Sequence, residues 1–118
     1  MKYTNAKFSM LLGKIITDIE HDSTKITFTL DDGTQYEMSH VQDCCERVSI
    51  EDVCGNFSDL LDTPVLRAEE RSQGDLDADG HRTWTFYELA TIKGSVTTRW
   101  YGESNGYYSE AVSFMKKE

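Results

Sequence analysis

The stretch that decides the fold is T-K-I-T-F-T-L-D-D-G-T-Q-Y-E-M-S-H, residues 24–40. Ile26, Phe28 and Leu30 share one side of an extended chain, and the polar residues between them share the other side. The D-D-G sequence at 31–33 then supplies a tight turn, because glycine tolerates a positive φ. Alternation resumes after the turn, so the stretch predicts a β-hairpin with one buried face.

Further strand candidates extend in both directions from this hairpin. Residues 11–20 place Leu11, Ile15 and Ile19 on one side, which adds a strand before the hairpin and makes a three-stranded meander. Five more candidates follow, at 47–53, 64–70, 83–92, 95–101 and 107–114.

The segments between these strands predict a helix, a loop and a bulge. Asn56 is placed to cap a brief helix over 57–62, which Pro64 ends. Residues 72–82 are polar and predict a loop, and a loss of alternation in the next strand predicts a β-bulge near Glu88. The predicted fold class is mainly β with a minor α element (α+β). We expect a twisted antiparallel sheet or partly open barrel of seven or eight short strands with one short helix.

The length of 118 residues predicts a single domain, residues 1–118, with a flexible N-terminus at 1–8. No apolar run reaches the ~20 residues of a membrane span, and the N-terminus lacks the apolar core of a signal peptide. Three cysteines, two of them adjacent, are unlike a secreted disulfide scaffold. The sequence therefore predicts a soluble, cytoplasmic protein that is a monomer or a small homo-oligomer.

The charge is concentrated in an acidic segment, residues 41–80. Eleven carboxylates and three arginines give this segment −8 of the net charge of −9. Such a field repels nucleic acid and anionic membranes and favours basic partners or cations, although solvated loops would give the same composition. The acids predicted to bind a partner are Asp43, Glu46, Glu51, Asp52, Asp59, Asp62, Glu69 and Glu70.

A histidine and all three cysteines lie within fifteen residues. His40, Cys44, Cys45 and Cys54 are the ligand types of a structural zinc site, and one turn between strands would bring His40 beside Cys44. Adjacent cysteines point to opposite faces of an extended chain, and no C-x2-C pair is present. A buried thiol cluster beside an inward-facing histidine is the alternative. We favour the zinc.

The same segment offers two catalytic alternatives. Cys44 or Cys45 would be a nucleophile, with His40 as its base and Asp43 to orient the base, but acidic surroundings disfavour the thiolate that such chemistry needs. A metal-dependent enzyme acting on nucleotides or phosphates would instead group His40, Asp43, Cys44 and Glu46 around an ion.

Two more motifs suggest ligands. D-L-D-A-D-G at 75–80 matches the first half of a calcium loop, but the glutamate required at position 12 is replaced by Phe86. An acidic hairpin loop that binds no calcium is the alternative explanation of this motif.

R-W-Y-G-E-S-N-G-Y-Y, at 99–108, forms a candidate ligand loop. Its predicted contacts are Arg99, Tyr101, Asn105 and Tyr107, where rings beside an arginine would stack on a base or sugar or form the centre of an interface. Aromatic residues in the core or at a β edge are the alternative.

The strings H-V-Q-D-C-C-E, at 40–46, and W-Y-G-E-S-N-G-Y-Y-S, at 100–109, resemble a small family of phage and bacterial proteins of unknown function. The resemblance runs from about residue 11 to residue 114. It implies a phage or prophage setting, in which small acidic proteins commonly inhibit host defence.

The resemblance therefore implies a non-enzymatic inhibitor of the anti-CRISPR type, acting in the cytoplasm of the host bacterial cell. Its acidic surface would cover a basic, nucleic-acid-handling surface of a defence nuclease, without direct contact to nucleic acid or membrane. A structural zinc would fix the segment that carries the acids.

Overall fold

The computed structural model of the protein describes residues 3–41, 46–77, 80–104 and 110–117, with the backbone alone at 75–77 and 80–81. These residues form nine strands and two short 3₁₀ helices. The strands are β1 Tyr3–Asn5, β2 Ile16–His21, β3 Lys25–Leu30, β4 Gln35–Ser39, β5 Arg47–Cys54, β6 Arg67–Asp77, β7 Gly80–Thr91, β8 Gly94–Ser104 and β9 Ser113–Lys117. The first 3₁₀ helix is Phe8–Leu11 and the second is Phe57–Leu60.

The strands form two antiparallel sheets. The first sheet has the order β1-β9-β4-β3-β2, and the second has the order β5-β8-β7-β6. The mainly β prediction is confirmed, and the sheets do not close into a barrel. In the described ranges the predicted helix at 57–62 is a 3₁₀ turn, and Asn56 caps it by accepting a hydrogen bond from the Ser58 N–H at 3.0 Å. Among these residues, no helix is long and apolar enough to cross a membrane.

The hairpin predicted at 24–40 is confirmed. Strand β3 pairs with β4 so that Ile26 faces Met38 and Phe28 faces Tyr36. All four side chains are buried. Gly33 has a φ of 86° in the turn, which a residue with a Cβ would adopt only with strain.

Two local predictions are corrected, the loop at 72–82 and the place of Leu11. The polar loop at 72–82 is instead part of one long hairpin, because backbone pairing of β6 with β7 continues to Asp77 and Gly80. The calcium-like motif lies at the end of this hairpin, and its side chains lie outside the described residues. Leu11 belongs to the first 3₁₀ helix, because Gly13, with a φ of 77°, turns the chain before β2 starts.

The bulge predicted near Glu88 is absent from the described pairing, in which Glu88 lies directly opposite Glu69 and Thr97. Alternation in β7 is regular, but its inward residues include Tyr87 and Leu89, while Trp84 and Phe86 lie on the other face. The register shifts instead in β2 and in β5.

One hydrophobic core joins the two sheets. Phe8 lies at its centre, with its ring centroid 4.9 Å from that of Tyr87 in the second sheet and 5.5 Å from that of Phe114 in the first. The N-terminal stretch 1–8, which the sequence predicts to be flexible, thus contributes this buried ring. It also contributes β1, which pairs with β9.

Candidate functional site

His40 lies just after β4 in a buried polar pair with Glu46. The two side chains are 5% and 0% exposed, and His40 Nε2 lies 3.0 Å from Glu46 Oε2. The other ring nitrogen, Nδ1, lies 2.7 Å from the carbonyl oxygen of Ala111 and must donate to it, because a carbonyl only accepts. Both ring nitrogens therefore have protein partners, and the prediction that His40 faces inward is confirmed. The pair links the end of the first sheet to the start of the second.

The structure does not bring Cys54 to His40. Glu46 contacts His40 and directly precedes β5, whereas Cys54 is the last residue of that extended strand. At about 3.3 Å per residue, Cys54 lies roughly 25 Å from Glu46. It is exposed, with its Sγ 3.6 Å from Asp52 Oδ2.

A zinc site containing all four predicted ligands is therefore corrected to one that draws on His40, Cys44 and Cys45 at most. Cys44, Cys45 and Asp43 lie outside the described residues. In the part of the chain that the structure describes, no group of three or more histidine, cysteine, aspartate or glutamate side chains is placed to hold a metal ion.

The eight acids predicted to bind a partner do not share one face. Glu46 is buried, and Asp43 lies outside the described residues. Glu69 projects from the outer face of the second sheet and pairs with Arg67 at 3.1 Å. Glu70 lies on the opposite, inner face, where it hydrogen-bonds with Tyr87. Of the other four acids, Glu51 and Asp52 lie on the border strand β5, Asp59 lies in the second 3₁₀ helix and Asp62 follows it.

We call these four residues the acidic edge: Glu51, Asp52, Asp59 and Asp62. Residues 48–66 contain no lysine or arginine, and the cations that contact this segment, Arg99 and Lys93, come from neighbouring elements. Strand β5 pairs only with β8 within its sheet, and its register shifts between Ile50 and Asp52. Glu51, Asp52 and Asp62 are exposed, and Asp59 is half-buried.

Contacts with the turn between β7 and β8 fix the acidic edge in place. The Thr91 hydroxyl donates to the backbone carbonyl of Asp59, and Lys93 Nζ donates to the carbonyl of Leu61 at 2.9 Å. Gly55 packs so closely that a Cβ at this position would lie 2.4 Å from the backbone oxygen of Ser95. The carboxylates are thus carried on a segment whose backbone is held at several points.

Beside the acidic edge, aromatic and arginine side chains occupy the outer face of the second sheet. Trp84 and Tyr101 lie directly opposite each other, with ring centroids 5.3 Å apart. The guanidinium carbon of Arg71 lies 4.9 Å from the centroid of Phe86. Arg99 connects this face to the acidic edge, because its Nη2 lies 2.8 Å from Glu51 Oε1. We call Arg71, Trp84, Phe86, Arg99 and Tyr101 the aromatic face.

The structure places two members of the predicted ligand loop on this face. Arg99 and Tyr101 belong to β8, which continues to Ser104, so they lie on a strand. The Tyr101 hydroxyl donates to Glu103 at 3.1 Å. Burial, with a smaller contribution from this hydrogen bond, raises the pKa of Tyr101. Asn105 and Tyr107 lie outside the described residues.

Comparison with known proteins places this sequence in a family. A family model described as a domain of unknown function (DUF7448) matches residues 9–114. The chain belongs to this family. The matched region runs from the first 3₁₀ helix into β9, so the acidic edge, the aromatic face and the His40–Glu46 pair all lie inside the family domain. Comparison with curated proteins and comparison with solved structures each found no match.

Proposed function

We propose that this protein is a non-enzymatic binding protein that docks a basic partner against its acidic edge. The observation that carries the proposal is that four carboxylates and no lysine or arginine fall within residues 48–66, on the border strand β5 and the segment that follows it. Because the backbone there is held by the β7–β8 turn, little conformational entropy is lost when a partner binds.

The aromatic face supports the same proposal. Tryptophan, tyrosine and arginine are the residue types that carry most binding energy at protein interfaces, usually near the centre and enclosed by a polar rim. Trp84, Tyr101 and Arg99 would form such a centre. The acidic edge would form the rim beside them, since the Arg99–Glu51 ion pair joins the two surfaces.

The partner we propose is a basic, nucleic-acid-handling surface of a host defence nuclease, of the kind that anti-CRISPR proteins inhibit. The resemblance to phage and bacterial proteins motivates the phage or prophage setting and the cytoplasm of the host cell. Complementary charge would guide the two proteins together. The carboxylates would then form ion pairs with the lysine and arginine side chains that otherwise bind phosphates.

Inhibition of guide-directed DNA cleavage by purified CRISPR effector nucleases tests this function. The test variant carries Glu51→Gln, Asp52→Asn, Asp59→Asn and Asp62→Asn. The matched control carries Asp18→Asn, Glu20→Gln, Asp31→Asn and Asp32→Asn, which removes the same charge from exposed positions around the first sheet. At about 0.5–1 kcal/mol for each partly exposed charge, the test variant should bind roughly 30- to 1,000-fold more weakly.

We expect the wild-type protein and the control to inhibit equally, and inhibition to weaken as salt rises from about 50 to 300 mM. Full inhibition by the test variant would refute the acidic edge as the docking surface. Absence of inhibition by the wild-type protein would refute the choice of partner.

A structural zinc held by His40, Cys44 and Cys45 stays part of the proposal. His40 Nε2 would have to release Glu46 to bind the metal, because both ring nitrogens contact protein oxygens. Metal content measured by mass spectrometry on protein purified without chelators, together with thiol counting, tests it. Protein without zinc and with three reactive thiols after unfolding would contradict it.

A further inference from the structure

A cleft lies on the inner face of the β6–β7 hairpin, away from the acidic edge and the aromatic face. Its volume of about 670 Å³ lies within the range of small-molecule sites, roughly 300–1,000 Å³. The side chains that matter for its chemistry are Glu70, Ser72, Thr83, Thr85, Tyr87 and Glu110.

The carboxylate of Glu110 is fixed at one end of the cleft. The Thr83 hydroxyl donates to Oε1 at 2.7 Å, and the Ser104 hydroxyl donates to Oε2. Gly102 packs directly against this residue, since a Cβ at position 102 would lie 2.9 Å from Glu110 Cβ. A carboxylate accepts about four hydrogen bonds, so two donors leave acceptor positions for a ligand.

A second carboxylate, Glu70, lies at the other end. It hydrogen-bonds with the Tyr87 hydroxyl, and burial together with this carboxylate raises the pKa of Tyr87. Thr83, Thr85 and Tyr87 occupy alternate positions of β7 on the same face, so the two ends of the cleft are roughly 13 Å apart at about 3.3 Å per residue.

Thr85 occupies the position of β7 between Thr83 and Tyr87 and lines the cleft. This residue is 8% exposed, and its hydroxyl has no hydrogen-bond partner within the described ranges, although it lines the cleft. The hydroxyl faces the open cleft, so a bound donor would take the place of water there.

The charge of the described lining defines the ligand class. Arg71 contributes to the wall, but its guanidinium lies over Phe86 on the other side of the sheet. The remaining side chains therefore offer two carboxylates and several hydroxyls, without a cation to balance them. Such a lining favours a cationic ligand.

We propose that this cleft binds a linear aliphatic polyamine. One terminal ammonium group pairs with Glu110 and the other pairs with Glu70. A secondary amine between them donates to the Thr85 hydroxyl. The site is independent of the docking proposed for the acidic edge. Failure of one proposal would therefore leave the other standing.

Isothermal titration calorimetry with spermidine and with 1,8-diaminooctane, which has a similar length but no central nitrogen, tests this site. Glu110→Gln should weaken binding of both amines by at least tenfold. Thr85→Val should weaken spermidine binding about tenfold and leave 1,8-diaminooctane unchanged, because only spermidine has the amine that meets the hydroxyl. If Glu110→Gln fails to fold, Glu70→Gln, at an exposed position, replaces it.

Two matched controls separate the site from general effects. Glu20→Gln removes an exposed charge from the first sheet, and Thr98→Val removes a buried hydroxyl from β8 outside the cleft. Both should bind spermidine like the wild-type protein. The proposal is overturned if the wild-type protein shows no saturable binding at millimolar spermidine, or if Glu20→Gln loses as much affinity as Glu110→Gln.

Discussion

Removing one partner of the buried His40–Glu46 pair should destabilise the protein more than removing both. The side chains are 5% and 0% exposed, and each single substitution leaves a buried polar group facing an apolar one. Loss of one partner from a buried charged pair costs about 3–5 kcal/mol. We therefore expect about that loss in the free energy of unfolding for His40→Leu and for Glu46→Leu separately.

The double variant should lose much less. An apolar pair of similar volume restores packing, and the main remaining cost is the hydrogen bond from His40 Nδ1 to the carbonyl of Ala111, about 1–3 kcal/mol. The sum of the single losses would be about 6–10 kcal/mol. The coupling free energy between the two positions should therefore be at least about 3 kcal/mol.

Urea denaturation at neutral pH, followed by tryptophan fluorescence, measures all four proteins of this cycle. A Glu37→Gln variant is the control, because its Lys25 partner lies 3.8 Å away at an exposed position and the change should cost less than about 1 kcal/mol. Losses that add within about 0.5 kcal/mol would refute the reasoning. Repeating the series with a metal chelator adds a further test: a loss of wild-type stability that is missing in His40→Leu would show that His40 binds metal.

Three further outcomes follow from local contacts and burial. Thr91→Val should lose about 1–3 kcal/mol of unfolding free energy, because the Thr91 hydroxyl donates to the carbonyl of Asp59. Thr98 is equally buried, but its hydroxyl has no partner in the described chain, so Thr98→Val should be neutral or stabilising. Urea denaturation compares the two variants. Gly55→Ala should lose at least about 2 kcal/mol in the same assay, because φ is 112° and the added Cβ meets backbone; an unchanged midpoint would contradict this. Burial raises the pKa of Tyr87, so the folded state favours the neutral phenol. The contribution of Tyr87 to stability is therefore complete below about pH 10 and is lost as the pH rises further. The stability of Tyr87→Phe at alkaline pH should depend less on pH than that of the wild-type protein.

The first sheet was predictable where alternation is local. In residues 24–40, the polar or apolar character of each residue shows which face of the sheet it lies on, and Gly33 marks the turn. Strands were predicted at 64–70 and 83–92, but the extension of their hairpin through residues 72–82 was missed because that segment is polar. Hydrophobic alternation cannot identify a strand segment that is almost entirely polar.

The candidate site was predictable only in part, for a similar reason. Glu51 and Asp52 could be found by counting charges along the chain, because both lie on a border strand and are exposed. Nothing local distinguishes Glu46, whose burial depends on contact with His40 where the chain passes from one sheet to the other. Trp84 and Phe86 look like core residues until the register of β7 turns Tyr87 and Leu89 inward.

The position of β9 has a consequence for the order of folding. This strand lies between β1 and β4, so Tyr3 pairs with Lys117 and Tyr36 pairs with Lys116. During synthesis, the hairpins of both sheets can form while β4 still lacks its neighbour. The first sheet is complete only after residues 113–117 leave the ribosome. Pairing of β9 with β1 joins residues far apart in the sequence and is therefore slow. A nascent chain arrested before β9 should therefore be cut by protease within β1, and release of five more residues should be enough to protect it.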